Sequence, residues 1–185
     1  MYTTSDFRRG LKILFQGQPY EITEFEHHKP GKGAAIVRTR MRNLITGLTI
    51  SPTFRSGDKV DSADVSEREV QFLYAADDIF NFMDPVSYEQ FEVNKKVLAD
   101  AVNFLIDGMN ASLLFFDGKP VSIDLPNSVV LEVVECDPAV RGDTVSGATK
   151  PAKFQTGYSC QVPLFVNIGD KIKVDTRTGE YIERG

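Results

Sequence analysis

Residues 29 to 33 read Lys29, Pro30, Gly31, Lys32, Gly33, which places a cation between two glycines behind a proline. Pro30 fixes its own φ and the glycines tolerate positive φ, so this pentapeptide favours a tight reversal that leaves Lys32 outward with little steric cover. The exposed ammonium is a point charge suited to phosphate. Lysine beside glycine is also a mark of nucleotide-binding loops, but Lys32 is followed by Gly33 and Ala34, and the GxxxxGK[S/T] spacing is missing, which argues against nucleotide hydrolysis. Arg38, Arg40 and Arg42 follow within ten residues of the tip. On a strand, Arg38 and Arg40 share one face, opposite Val37 and Thr39. A basic stripe running up to a basic tip would track a phosphate backbone. A solubilising turn on a solvated strand face would use the same residue types.

Other chemistry is sparse. The two histidines, His27 and His28, are adjacent and on a strand would face opposite sides, which is a poor start for a metal site. Cys136 and Cys160 lack CxxC spacing and lie in apolar or alternating stretches, so they read as buried, reduced thiols. A nucleophile, base and orienting group are not assembled by any motif. The reading is therefore of a binding protein with no catalytic residues, no metal and no cofactor.

The elements that must position Lys32 are strands. YEITEFEHH at 20–28 and AAIVRTR at 34–40 alternate on either side of the pentapeptide and predict a hairpin. Arms of this length would carry the lysine roughly 25 to 30 Å from the hairpin's base. Around them, Lys12–Phe15 and Leu48–Phe54 complete the pattern of a small SH3-like barrel, and the polar stretch from Lys59 to Ser66 marks a boundary near residue 63. Beyond it, Glu67–Tyr74, Ile79–Met83, Ser112–Phe116, Lys119–Asp124 and Val129–Val134 read as five strands. Asn94–Leu105 has apolar spacing of three and four and reads as a helix. Five strands and one helix fit an OB-fold. Ala152–Phe154, Gln161–Phe165, Lys171–Val174 and Gly179–Glu183 suit a second such barrel, which must share 129–135 with the first.

Charge follows these divisions. Residues 1–63 hold ten Lys/Arg and six Asp/Glu, residues 64–128 hold four and twelve, and residues 129–185 hold seven and eight, within a net charge of -5. Only the first third is basic, which addresses one region of an acidic protein to a polyanion. No apolar run approaches the length of a membrane span, and MYTTSDFRRG lacks signal-peptide order, so a cytoplasmic location without membrane association is expected.

Long motifs then bring in a family. DFRRGLKILFQGQPYEI, KPGKG and RNLITG in the first third, and DPAVRGDTVSG, KPAKFQTGYSCQVPLFVNIGD and KIKVDTRTGEY in the last, resemble the elongation factor P family nearly end to end. The middle third resembles it mainly in pattern. The resemblance implies an all-β chain of three small barrels: an SH3-like (KOW-like) domain at 1–63, then OB-folds at 64–128 and 129–185, arranged as an L that imitates tRNA.

It further implies a translation elongation factor that binds the 70S ribosome between the P and E sites, contacts the P-site peptidyl-tRNA and rRNA, and relieves stalling at consecutive prolines while the ribosome performs the chemistry. Lys32 would be the residue extended by a lysine-modifying enzyme, with Lys29, Gly31, Gly33, Arg38, Arg40 and Arg42 contacting tRNA or rRNA. Arg141, Gly142, Asp143 and Thr144 match the family's third-domain loop facing the small subunit and messenger, and Tyr181 and Arg184 are further candidates for ribosome contact. A monomer is expected. The rivals are the elongation factor P-like paralogue, which the intact KPGKG disfavours, and a general OB-fold RNA-binding protein, which would need a basic barrel where the middle one is strongly acidic.

Overall fold

The computed structural model describes residues 1–139 and 147–185. The chain divides into two compact units, Met1–Arg68 with Leu113–Ser122, and Glu69–Ser112 with Ile123–Gly185. Among the described residues, no helix is long and apolar enough to cross a membrane.

The first unit contains the sheet that carries the basic hairpin. Its strands are β1 (Tyr2–Thr3), β2 (Lys12–Phe15), β3 (Gln18–His28), β4 (Ile36–Asn43), β5 (Thr49–Ile50), β6 (Thr53–Arg55) and β7 (Lys59–Ser62). They run in the order β1-β7-β2-β3-β4-β5, with β6 also paired to β4. Alternation drives the packing: Ile13, Ile22, Val37 and Met41 are wholly buried, and Phe7, Leu11, Phe54 and Val60 join them. Each such side chain contributes about 1.5–3 kcal/mol of apolar burial. Phe54 meets Phe7 and Phe15 edge-on, with ring centroids 5.3 and 5.8 Å away.

Two expectations are corrected here. Lys59–Ser62, polar as it is, forms a strand: β7 pairs with both β1 and β2, and its one apolar residue, Val60, is buried. Leu48–Phe54 is not one strand either, because Pro52 lacks an N–H and separates β5 from β6. The Pro52 carbonyl is put to use as an acceptor for the Thr39 N–H at 3.1 Å and the Thr39 hydroxyl at 2.7 Å.

The second sheet comprises β8 (Val65–Ala76), β9 (Ile79–Met83), β10 (Gln90–Asn94), β11 (Asn110–Phe116) and β12 (Lys119–Asp124), in the order β10-β9-β8-β11-β12. Its fifth strand is β10, paired with β9 from Gln90↔Met83 to Asn94↔Ile79. Val129–Val134, the strand expected in that place, belongs to the third sheet. Phe72, Phe80, Phe82 and Phe115 are buried, as a barrel with an acidic exterior requires of its rings.

The expected helix over Asn94–Leu105 is shorter than its spacing implies. Asn94 caps it, its side chain accepting from the Lys96 N–H at 2.9 Å, but only Lys95–Leu98 (α1) is α-helical. Ala99 then adopts φ +48° and ψ −126°, a positive-φ conformation outside the helical regions that ends α1, and Ala99–Asn103 continues as a 3-10 turn.

The third sheet lies in the second unit: β13 (Ser128–Cys136), β14 (Thr149–Phe154), β15 (Ser159–Pro163), β16 (Lys171–Asp175) and β17 (Tyr181–Arg184), ordered β15-β14-β13-β16-β17. β13 is central and buries Val129, Leu131 and Val133 against Phe154, Val162, Ile172 and Val174. Phe104, which follows the 3-10 turn, is inserted into this same core, 5.1 Å from the Tyr158 ring. The Thr156 hydroxyl donates to the Asn103 carbonyl at 2.7 Å beside it.

Cys136 and Cys160 are free thiols and half-buried, where full burial was expected. Both are register partners of Ala152, one on each side of β14, so two interstrand spacings of about 4.8 Å separate them. That is too far for a disulfide. Burial pushes the Cys160 thiol pKa up.

Candidate functional site

The hairpin expected from the sequence forms as β3 paired to β4, closing at His28↔Ile36. Along β4, Val37, Thr39, Met41 and Asn43 are buried while Arg38, Arg40 and Arg42 are exposed, so all three arginines share the outer face. Asn43 fixes the far end of β4, its side-chain oxygen accepting from the Ile45 and Thr46 N–H groups at 2.8 and 3.0 Å.

β3 does not alternate throughout. Its register runs Glu21↔Arg42 and Ile22↔Met41, then resumes at Glu24↔Arg40, Phe25↔Thr39 and Glu26↔Arg38. Thr23 is the extra, bulged residue, and its hydroxyl donates to the Arg40 carbonyl at 3.0 Å. The slip returns Phe25 to the core side and sets Glu24 and Glu26 opposite arginines.

The basic stripe is therefore matched by an acidic one. Arg42 pairs with Glu21 at 2.8 Å and Arg40 with Glu24 at 3.6 Å, and Glu26 stands across from Arg38. These glutamates were not singled out from the sequence, because only the register reveals what they face. Arg9 also went unremarked; it joins Arg38, Arg40, Glu24 and Glu26 around an open depression of about 440 Å³. Exposed pairs of this kind are worth about 0–1 kcal/mol each, and they exchange readily with solvent or a competing anion.

At the tip the balance differs. Lys29, Gly31, Lys32 and Gly33 are exposed, and among the described residues neither lysine has an ion-pair partner. Of the two glycines only Gly33 has positive φ, +115°, with the Pro30 ring the only neighbour a Cβ there would meet, at 3.8 Å. The turn thus needs glycine at 33 for its backbone, while Gly31 leaves open space. His27 packs edge-on against Phe25 with centroids 5.8 Å apart. Among the described residues, no group of three or more His, Cys, Asp or Glu could hold a metal ion.

The third-domain candidates separate into two sets. Arg141, Gly142, Asp143 and Thr144 lie outside the described residues. Tyr181 is partly buried and packs against the core of the third sheet. Arg184 is held on two sides, by Asp170 at 2.9 Å and by the Phe165 ring, 5.3 Å below its guanidinium. The Asn167 N–H and the Arg184 side chain hold the Asp170 carboxyl below its ordinary pKa. Tyr181 and Arg184 occupy one strand of the second unit, whereas the Lys32 hairpin belongs to the first.

Known proteins resemble this chain along its whole length. The profile described as "Elongation factor P (EF-P) KOW-like domain" matches residues 3–60, "Elongation factor P (EF-P) OB domain" matches 65–123, and "Elongation factor P, C-terminal" matches 129–184. Elongation factor P of Desulfovibrio desulfuricans is 53% identical over 184 residues, covering 100% of both chains. Those of Nitratidesulfovibrio vulgaris and Symbiobacterium thermophilum are each 50% identical with the same coverage. Among solved structures, "Eukaryotic translation initiation factor 5A from Methanococcus jannaschii" is similar in fold, with a TM-score of 0.53 at 22% identity, over 67% of this chain and 91% of that one. A translation initiation factor 5A family protein from Naegleria fowleri gives a TM-score of 0.54 at 17% identity, over 67% and 96%. With a KOW-like domain followed by OB domains, full-length identity near one half and the KPGKG hairpin in place, the chain belongs to the elongation factor P family of translation elongation factors.

Proposed function

We propose that this factor binds the 70S ribosome between the P and E sites, contacts the P-site peptidyl-tRNA and stimulates peptide bond formation at consecutive prolines. Three domains at 1–63, 64–128 and 129–185 divide the work, in the cytoplasm and as a monomer. The observation that carries the reading is Lys32, exposed and, among the described residues, without an ion-pair partner, at the end of a hairpin anchored by the buried Ile22, Val37 and Met41. A cation held out on a stiff arm is suited to a site that the body of the protein does not enter. Proline is a poor substrate because its ring restricts the reacting amine, so steadying the acceptor end of the peptidyl-tRNA restores attack geometry.

Lys32 is the residue that a lysine-modifying enzyme extends, which lengthens its reach toward the peptidyl transferase centre. Lys29 and the backbone at Gly31 and Gly33 meet sugar-phosphate beside it. Arg38, Arg40 and Arg42 engage tRNA or rRNA only by exchanging a carboxylate for a phosphate, given their glutamate partners. Arg141, Gly142, Asp143, Thr144, Tyr181 and Arg184 serve the third domain's contact with the small subunit and messenger.

The test is triproline synthesis on purified bacterial ribosomes, with factor isolated from its own host beside Lys32→Ala. Stimulation by the wild type that is largely lost in the variant supports the reading, and mass spectrometry of the Lys32 peptide then identifies the extension. Absence of stimulation, beside a working control factor, overturns it.

A further inference from the structure

The arm is not a uniformly basic rod. Arg38, Arg40 and Arg42 face Glu26, Glu24 and Glu21 one for one along the outer side of the hairpin, whereas Lys29 and Lys32 lie in the loop beyond the paired strands and, among the described residues, form no ion pair. Beside the shaft, Arg9, Arg38 and Arg40 share one depression with Glu24 and Glu26, so three cations there are offset by two anions. Without the glutamates, that depression would be a three-arginine groove on a strand face, suited to a phosphate backbone of any sequence. The Thr23 bulge is what turns both glutamates toward it.

We infer that Glu24 and Glu26 are counter-charges that keep free RNA off the shaft, so that away from the ribosome the arm engages polyanions through its tip, and Arg38 and Arg40 exchange onto phosphate only once the factor is seated. The inference rests on the reading of the arm as an RNA-contacting element, and it adds how the arm discriminates. A factor that must place one lysine deep in a ribonucleoprotein passes much exposed RNA on the way. Each phosphate captured by the shaft adds affinity that is indifferent to position. The Glu24 carboxylate, 3.6 Å from Arg40, repels a phosphate approaching the same guanidinium, so free RNA is captured by the tip before the shaft.

The test uses the full chain and a uridylate homopolymer, with the dissociation constant measured across a potassium chloride series. E24Q/E26Q should bind about ten-fold more tightly than wild type at low salt, with a log-log salt slope steeper by about 1.4 to 2, the release expected for two to three added phosphates on a single strand. E24D/E26D, which keeps both charges, should match wild type. K29A/K32A should lose most of the weak wild-type binding, and this arm of the test stands even if the glutamine pair misfolds by circular dichroism. Wild-type affinity and slope in E24Q/E26Q overturn the inference. So does an equal gain in E24D/E26D, which would make side-chain shape the cause, or unchanged binding in K29A/K32A. Because no ribosome is present, failure of triproline stimulation and failure here are read separately.

Discussion

Ile22 and Phe25 are three positions apart on β3, yet both turn toward the core of the first sheet, because the register slips by one residue at Thr23. Straight strands place residues of equal parity on one face, and Ile22 and Phe25 have opposite parity. The bulge reconciles them, and in doing so it faces Glu24 to Arg40 and Glu26 to Arg38. Bulges also increase local twist, so Thr23 sets the direction in which the outer half of the arm carries Lys32.

Deleting Thr23 should separate stability from function. Ile22 would still face Met41, and Glu24 would still face Arg40, since Thr23 is the residue without a register partner. The core therefore survives, with a loss of about 0.5–1.5 kcal/mol from the hydroxyl bond to the Arg40 carbonyl. The arm loses its extra twist and redirects the tip. Urea denaturation should show a small change, while triproline synthesis falls nearly as far as in Lys32→Ala. Wild-type stimulation by the deletion variant would show that arm direction is not set here.

Thr39→Val tests the joint between β4 and the Pro52 turn. Thr39 is buried, and the Pro52 carbonyl accepts from both its hydroxyl and its N–H. Valine keeps the shape and the N–H bond and removes only the hydroxyl, so the carbonyl is not orphaned. A loss of about 1 kcal/mol in urea denaturation is expected. A loss several times larger would mean that the turn itself had opened.

Phe104→Ala should be among the most damaging single changes in the second unit. The ring lies in the core of the third sheet although its neighbours in sequence belong to the segment after α1. Truncation leaves a cavity beside Tyr158 in the core of the third sheet and should cost about 3–5 kcal/mol. A double-mutant cycle with Tyr158→Leu should return a coupling of about 0.5–1.5 kcal/mol from the edge-on ring pair. Zero coupling would reduce the contact to area alone.

Residue types made the hairpin tip legible, whereas pairing hid the rest of the site. Pro30 and Gly33 announce a turn by their own backbone limits, and β2, β9 and β12 have the bounds that their flanking turns imply. Glu24 and Glu26 carry meaning only opposite particular arginines, and that depends on a register that the Thr23 slip alters. The signal was present in the odd spacing of Ile22 and Phe25, which no uninterrupted strand accommodates. β10 was missed because its alternation, QFEVN, carries only two apolar residues. The helix was overextended because the apolar spacing of Val97, Leu98, Ala101, Val102 and Leu105 cannot announce the positive φ of Ala99.

Asp170 should give the third domain an acid-side dependence. Its pKa is lowered in the folded chain, first by the Asn167 N–H and then by Arg184, and in the unfolded chain it returns to the ordinary carboxylate value. A group depressed on folding binds fewer protons in the native state, so its stabilisation is full above the ordinary value and is lost as pH falls through the lowered one. Arg184 stays charged throughout, so the carboxylate alone titrates. Asp170→Asn should therefore be less stable than wild type near neutrality, with the gap closing as urea denaturation is followed down from about pH 6 to about pH 2. Asp175, lowered by Arg177, and Asp6, lowered by the Thr3 N–H, keep a residual acid dependence in the variant. A gap that stays constant over the range would mean that the charge of Asp170 adds nothing to the fold and that the variant's loss comes from the geometry of the amide.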